Sequence, residues 1–459
     1  MLPTVFPLAQ LLQARNRAFN NEITTMAPSP PTTILFTHYG DDWIRGSERC
    51  LLDLLRYLDR SLFYPVLWCN SETMARAAAP LGIPVEVSPL PVLFSSRKPR
   101  FSIAAYCRLL RRGLDIVDKY GAKLIHANSG APSQCLNIIA RARHLPLISH
   151  LHSPYPLHQR LILGLHHASI SVAPSHAVIE QLRGDGVPVE CSRVINNGID
   201  HTTLDQQRSF ALRSALNIAE DDFVIATTAS LIHRKGIDLI IRALNEVRNK
   251  KLPAQLVIIG EGPERQALEQ LSDALALGPY VHFLGEQDEV SGLLRSGIDL
   301  FISAARQEAF GLVLAEASLA GLPLVAPAVG GIPEVVLHEQ TGLLVPPEDI
   351  QALAASIVQL YADPELRMTL GKAGRHHVLQ HFTVERNVAQ FTRLYQRCLA
   401  QSGLSMAWHR HWRWRQISVK VCAQILALAR RKVCALFKRA PAPLTTSTGM
   451  KGDVGGRQP

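Results

Sequence analysis

The chain has 459 residues, 47% of them apolar and 19% charged, which excludes a disordered protein and leaves room for two domains of ordinary size. Its net charge of +10 is local: thirteen Lys and Arg and no Asp or Glu lie between Arg386 and Gly452, leaving 35 basic against 38 acidic residues elsewhere. A nucleic-acid function for the whole protein is therefore disfavoured, and an anionic partner is expected only for the tail.

No run of about 18 uncharged apolar residues occurs, so no transmembrane helix is expected. The cysteines, Cys50, Cys69, Cys107, Cys135, Cys191, Cys398, Cys422 and Cys434, are scattered without a C-x-x-C pair. That argues against a zinc site and for free thiols in a reducing, cytoplasmic setting.

In chain order, residues 1–32 end in Pro28-Ser29-Pro30-Pro31 and read as a disordered extension without signal-peptide architecture. Ile34 to His38 reads as a strand, and Ser47 to Leu58 as a helix. Apolar runs recur at Pro65, Lys123, Pro146, Ala168 and Arg193, then at Phe223, Gln255, Val281, Asp299, Leu324 and Leu343, with helical stretches between. Strands alternating with helices predict an α/β protein of two doubly wound, Rossmann-like domains, 33–200 and 201–385. Ligands of such sheets collect beyond the carboxyl ends of the strands, so two of them face to face make a cleft. A helix over 386–402 follows, then a basic aromatic segment over 403–439 and a disordered end over 440–459. Trp408, Trp412 and Trp414 among arginines, with Ile417, Val421, Ile425 and Leu428 beyond, suit an anionic membrane surface through 408–439. A solvated helix or a protein contact is the alternative, and three Trp in seven residues, costly to leave in water, favour the membrane surface.

The chemistry concentrates at Glu308-Ala309-Phe310-Gly311-Leu312-Val313-Leu314-Ala315-Glu316. One carboxylate lies in the loop after a buried strand, the other in the helix that follows. Phe310-Gly311 puts bare backbone at that helix start, where amides and the macrodipole attract phosphate. Carboxylates accept from paired hydroxyls, so Glu316 suits a ribose and Glu308 a sugar. By spacing alone, both also read as ordinary solvated glutamates.

This stretch resembles the E-x7-E signature of the retaining, GT-B-type glycosyltransferases of family 4, and neighbouring segments from Ile34 to Ala400 match in order. The resemblance implies a GT-B-like pair of domains and a metal-independent, hexosyltransferase-like enzyme. Such an enzyme moves sugar from a nucleotide-diphosphate sugar to a hydroxyl of a glycan or lipid-linked acceptor in polysaccharide biosynthesis. It implies donor contacts from Gly46, Ser47, Gly260, Phe310, Gly311, Leu312 and Glu316, and catalytic roles for His152, Glu308 and Lys235; Arg234, which matches no family position, is a donor-binding candidate as the loop cation that compensates for the missing Arg. His150 is the alternate for His152, and the last helix is expected to cross back to the first domain. No cofactor, metal or nucleic acid is expected, and D-x-D is absent. The enzyme is expected in the cytoplasm, peripheral at the inner face of the membrane.

Two positions depart from the family pattern. Arg45 stands where a first glycine is usual, and Ser230 replaces an Arg whose guanidinium would grip the leaving diphosphate. Ser230 keeps open a degenerate nucleotide-sugar-binding scaffold, and a sugar-nucleotide epimerase on a similar fold is a further alternative.

Overall fold

The computed structural model of the protein describes residues 30–92 and 102–401, together with Ala423. The first 29 residues of the expected extension, and the basic tail and terminal segment after 402 apart from Ala423, lie outside the described residues.

Two parallel sheets form two lobes of one compact unit. The first holds β1 (Thr32–His38), β2 (Phe63–Cys69), β3 (Val85–Val87), β4 (Leu124–Ala127), β5 (Leu147–His150), β6 (Ile170–Ala173) and β7 (Ser192–Val194), in the order β3-β2-β1-β4-β5-β6-β7. The second holds β8 (Phe223–Thr228), β9 (Ala254–Ile259), β10 (Val281–Gly285), β11 (Leu300–Ile302), β12 (Leu324–Pro327) and β13 (Leu343–Val345), in the order β10-β9-β8-β11-β12-β13. β1 opens at Thr32, the last residue of the expected extension. β3 has no counterpart among the expected strands.

These strands read as continuous apolar runs because helices cover both faces. In β8, Phe223 and Ile225 bury on one side, while Val224 and Ala226 bury on the other. In β1, Ile34 and Phe36 face one core and Leu35 the opposite one. The order reverses between β1 and β4 and again between β8 and β11. Each reversal opens a crevice beyond the carboxyl ends of those strands. His38 and Asn128 stand at the first crevice, and the segments leading to Lys235 and Glu308 at the second.

The chain passes between lobes twice at one place. Ile199 donates to the Phe382 carbonyl at 2.8 Å, and Val384 donates to the Ile199 carbonyl at 3.0 Å. The closing helix Val384–Ala400 then leaves the second lobe and buries Val388, Phe391, Leu394 and Tyr395 against Ile34 and Phe36 of the first. Among the described residues no helix is long and apolar enough to cross a membrane, and the six cysteines are unbridged.

Candidate active site

On the second lobe, β8 leads through Ser230 into a short turn, His233–Lys235. Lys235 Nζ lies 2.5 Å from Glu308 Oε2, with side chains only 17% and 14% exposed. Glu308 Oε1 accepts from the Ala309 amide at 3.1 Å. Burial pushes this carboxyl up, but Lys235, with Arg234 and the Ala309 amide, outweighs burial and holds it below the usual carboxylate range. Glu308 is therefore anionic and held in one orientation. Arg234 is exposed and donates to the Gln307 carbonyl, so its charge stands over the Glu308 loop rather than at the place of Ser230. Arg306 is committed elsewhere, both of its terminal nitrogens donating to Asp238 at 2.8 Å.

Backbone packing fixes the Glu308 loop. Gly330 has φ +54°, and a Cβ there would overlap the Glu308 carbonyl oxygen; at Gly331 it would meet the Ala309 carbonyl. Gly331 donates to the Glu308 carbonyl at 3.1 Å. Gly260, at the end of β9, supports the preceding loop in the same way, lying against the Ala229 carbonyl. Gly311, at φ +105°, is the N-cap of helix Leu312–Leu319. Phe310 itself is a core anchor, edge-on to Phe382 at 5.3 Å, so only its backbone faces the helix start. The first amides of the helix have no intrahelical partner.

On the first lobe, Gly46 opens helix Gly46–Tyr57. Glu48, in its first turn, accepts from the Arg45 amide at 3.2 Å and the Ser47 hydroxyl at 3.0 Å, and pairs with His38 Nε2 at 2.9 Å. Burial opposes its charge, but the His38 bond and the other donors bring this carboxyl down to about 2. The Ser47 hydroxyl, an expected donor contact, is thus engaged by its neighbour. Arg45 lies with its guanidinium over the Trp43 ring, 4.3 Å from the centroid.

The two histidines at the end of β5, His150 within it and His152 just beyond, have different surroundings. His150 is in the core, its Nδ1 3.3 Å from His126 Nε2, and His126 Nδ1 is 2.7 Å from the Tyr395 hydroxyl. His152 is half-buried, with Nε2 2.8 Å from Asn128 Oδ1. Burial, reinforced by neighbouring imidazoles, pushes His152 and His150 well below the ordinary histidine range and His126 down to about 3. Sequence reasoning missed His38, Glu48 and Asn128, although His38 ends β1 and Asn128 directly follows β4, the two strands that flank the crevice.

The lobes meet around these residues. A Cβ on Gly46 would stand 3.4 Å from Leu312, so the two helix starts adjoin. Ala309 buries in one cluster with Leu151, Val178 and Tyr155 of the first lobe, which places the Glu308 loop beside the His152 segment. Glu334 accepts from the His176 amide at 2.7 Å, tying the lobes again. Glu316 is half-buried and faces the Gly46 helix: burial raises its carboxyl, Arg49 lowers it and Asp53 raises it. A surface cavity of about 580 Å³, lined by Arg242, Glu246, Leu275 and Glu348 among others, lies elsewhere on the second lobe. Among the described residues no group of three or more His, Cys, Asp or Glu could hold a metal ion.

Asp53 carries a measurable consequence of this interface. Burial pushes its carboxyl up to about 6, opposed by Arg56 and reinforced by Asp200. The folded state then binds more protons than the unfolded chain between about pH 4 and pH 6, so stability falls as pH rises through that window. Asp53→Asn is expected to remove this fall and to stabilise the protein at neutral pH by roughly 1–3 kcal/mol. Urea denaturation across the window checks it; parallel curves for variant and wild type would contradict it.

Two doubly wound lobes, with a buried Lys–Glu pair on a loop packed beside the His152 segment, have the architecture of a two-lobed glycosyltransferase. Residues 209–377 match the family model described as Glycosyl transferases group 1, and residues 44–203 match that of Glycosyltransferase Family 4. The chain belongs to the GT-B glycosyltransferases made of these two halves. It is 26% identical over 292 residues to N-acetyl-alpha-D-glucosaminyl L-malate synthase of Bacillus anthracis, covering 61% of this chain and 76% of that one. It is 35% identical over 189 residues to the lipopolysaccharide core biosynthesis glycosyltransferase LpsD of Rhizobium meliloti, covering 41% of this chain and about half, 54%, of that one. The structure of Anabaena Alr3699/HepE in complex with UDP and glucose is similar, with a TM-score of 0.68 and 26% identity over 79% of this chain and 99% of that one.

Proposed function

We propose that this glycosyltransferase is a retaining enzyme that moves a sugar from a nucleoside-diphosphate sugar to a hydroxyl of a glycan or lipid-linked acceptor. The observation that carries the reading is the Lys235–Glu308 pair, buried at the strand-order reversal beside the start of helix Leu312–Leu319. The complex of Alr3699/HepE with UDP and glucose and the lipopolysaccharide role in the name of LpsD support it.

In this reading the departing diphosphate draws Lys235 from Glu308 and settles against the amides of Gly311 and Leu312, with Arg234 supplying the charge that Ser230 lacks. Preorganised cations and amides stabilise charge that develops as the glycosidic bond breaks. Glu308, freed from Lys235, accepts from donor-sugar hydroxyls. Glu316 takes the ribose, and its raised proton affinity falls once two hydroxyls donate to it. Gly46 and Gly260 let backbone approach the donor, and Ser47 offers its hydroxyl at the same helix start. His152 orients sugar and acceptor, which attacks the face the diphosphate leaves. Catalysis is metal-independent and cofactor-free in this scheme. We place the enzyme in the cytoplasm, with segment 408–439 holding it to an anionic membrane surface.

The test is incubation with a panel of nucleotide sugars and acceptors, following nucleoside diphosphate release and the anomeric configuration of the product. Acceptor-dependent release with the donor's anomeric configuration kept is expected. Inversion would overturn retention, and an epimerised donor formed without acceptor would indicate the epimerase alternative. Nucleotide binding without turnover would indicate the degenerate scaffold that Ser230 leaves open.

A further inference from the structure

Asn128 is buried at the end of β4 with all of its side-chain groups engaged. Its Nδ2 donates to the Ser47 carbonyl at 3.1 Å and lies 3.2 Å from His38 Nδ1. A backbone carbonyl only accepts, so the Ser47 contact fixes which end of the amide is nitrogen. Oδ1 therefore faces His152 Nε2, at 2.8 Å. An amide oxygen also only accepts, so the proton of the neutral His152 ring must sit on Nε2.

The chain of bonds continues without a break. Glu48 is ionised and accepts from His38 Nε2, and His38 Nδ1 lies 3.1 Å from the Asn128 backbone carbonyl and 3.2 Å from Asn128 Nδ2. From Glu48 through His38 and Asn128 to His152 the contacts run unbroken, and the Ser47 carbonyl sets the end of the amide that meets His152.

We infer that Asn128, held by the Ser47 carbonyl, is a positioning residue that fixes His152 as its Nε2–H tautomer and leaves Nδ1 as the ring's single acceptor for a substrate hydroxyl. The inference rests on the reading that His152 faces the donor sugar and acceptor. It adds a direction to that contact: the substrate hydroxyl donates, and an imidazolium or the opposite tautomer cannot receive it. Hence His152 must stay neutral. Burial supports this, as do the uncharged neighbours His150, with ring centroids 4.1 Å apart, and His126. The other charged or titratable groups around it are His38 and Glu48 in the first lobe and the Lys235–Glu308 pair on the loop packed beside it.

Nitrogen-15 NMR of the full chain with labelled histidine reads the tautomer directly, with His152→Gln assigning the signal. A proton on Nε2 across about pH 5 to 8 is expected; a proton on Nδ1 in the wild type would overturn the inference. Asn128→Asp places a carboxylate at Nε2. It is expected to raise the pKa of His152 and move the acid limb of the kcat/KM profile upward by about one pH unit or more. Activity should recover at higher pH, where the ring is neutral again and Nε2 still holds the proton. Asn128→Leu, which holds neither tautomer, should lower kcat about 10- to 100-fold with no recovery at any pH. A merely structural role for Asn128 would give both variants the same pH-independent loss, and that result would overturn the inference. Unchanged transfer by His152→Ala would instead remove the functional reading, whereas the tautomer measurement needs no turnover.

Discussion

Lys235→Ala is expected to slow sugar transfer by about 10²- to 10³-fold, chiefly in kcat. Lys235 holds Glu308 in place before the donor arrives and offers a mobile cation when the diphosphate departs. Removing it takes away both the anchor and the charge. Lys235→Arg should recover part of the rate, because charge is restored while the planar guanidinium reaches differently. The same substitution has a stability signature whose sign follows from the site. In the wild type, Glu308 sits below its ordinary range because Lys235 outweighs burial, so the pair stabilises the fold above that range and is lost as pH falls. Without Lys235, burial becomes the leading influence and the carboxyl rises, so the variant loses stability as pH rises instead. Adding Glu308→Gln should restore stability and leave transfer slow. Kinetics and denaturation of the single and double variants check this, and a Lys235→Ala enzyme with wild-type kcat would refute the role.

The second large effect is expected at a residue with no side chain. Gly330→Ala should cost roughly 1–2 kcal/mol for the left-handed backbone alone, with the overlap against the Glu308 carbonyl added to it. Because that carbonyl belongs to the loop carrying the carboxylate, the new methyl shifts Glu308 relative to Lys235. Displacement of a positioned group by about 1 Å can cost on the order of 10² in rate. Gly82→Ala is the control: φ is +63° and no atom lies within 4 Å of the added Cβ, so it pays the backbone term without the overlap. Denaturant midpoints and kcat for the two variants should separate, with Gly82→Ala near wild type in rate. Equal rates would show that the Gly330 loop does not position Glu308.

Most of the architecture was legible because strands covered on both faces cannot alternate with polar residues. Phe223 to Thr228 and Leu343 to Val345 read as strands from apolar runs alone, and the structure keeps those bounds. β3 escaped because Val85-Glu86-Val87 is three residues with a charged centre, and Glu86 is tolerated there through Arg112, Lys119 and Tyr120. Within the site, Glu308 and Lys235 could be named because their motifs are short and local. Their pairing across 73 residues could not, nor could the Asn128 network, whose members lie 10, 24, 81 and 90 residues apart. What joins them is strand order: only when β1 is seen to adjoin β4 do His38 and Asn128 become neighbours. The separation of His150 from His152 was equally hidden, since alternation along an extended chain puts both on one face, whereas β5 ends at His150. What distinguishes them is His126 and Phe391, brought to His150 by β4 and the closing helix.

That closing helix also sets a timetable for synthesis. Ile34, Phe36 and His126 emerge from the ribosome early, but Phe391 and Tyr395, which roof them, follow the entire second lobe. At about 5–20 residues per second, the gap from Val194 to Val384 lasts on the order of ten to forty seconds. Throughout it the nascent first sheet carries a bare apolar wall. The half of the chain made second, its sheet closed at Val345, is therefore the first to be finished.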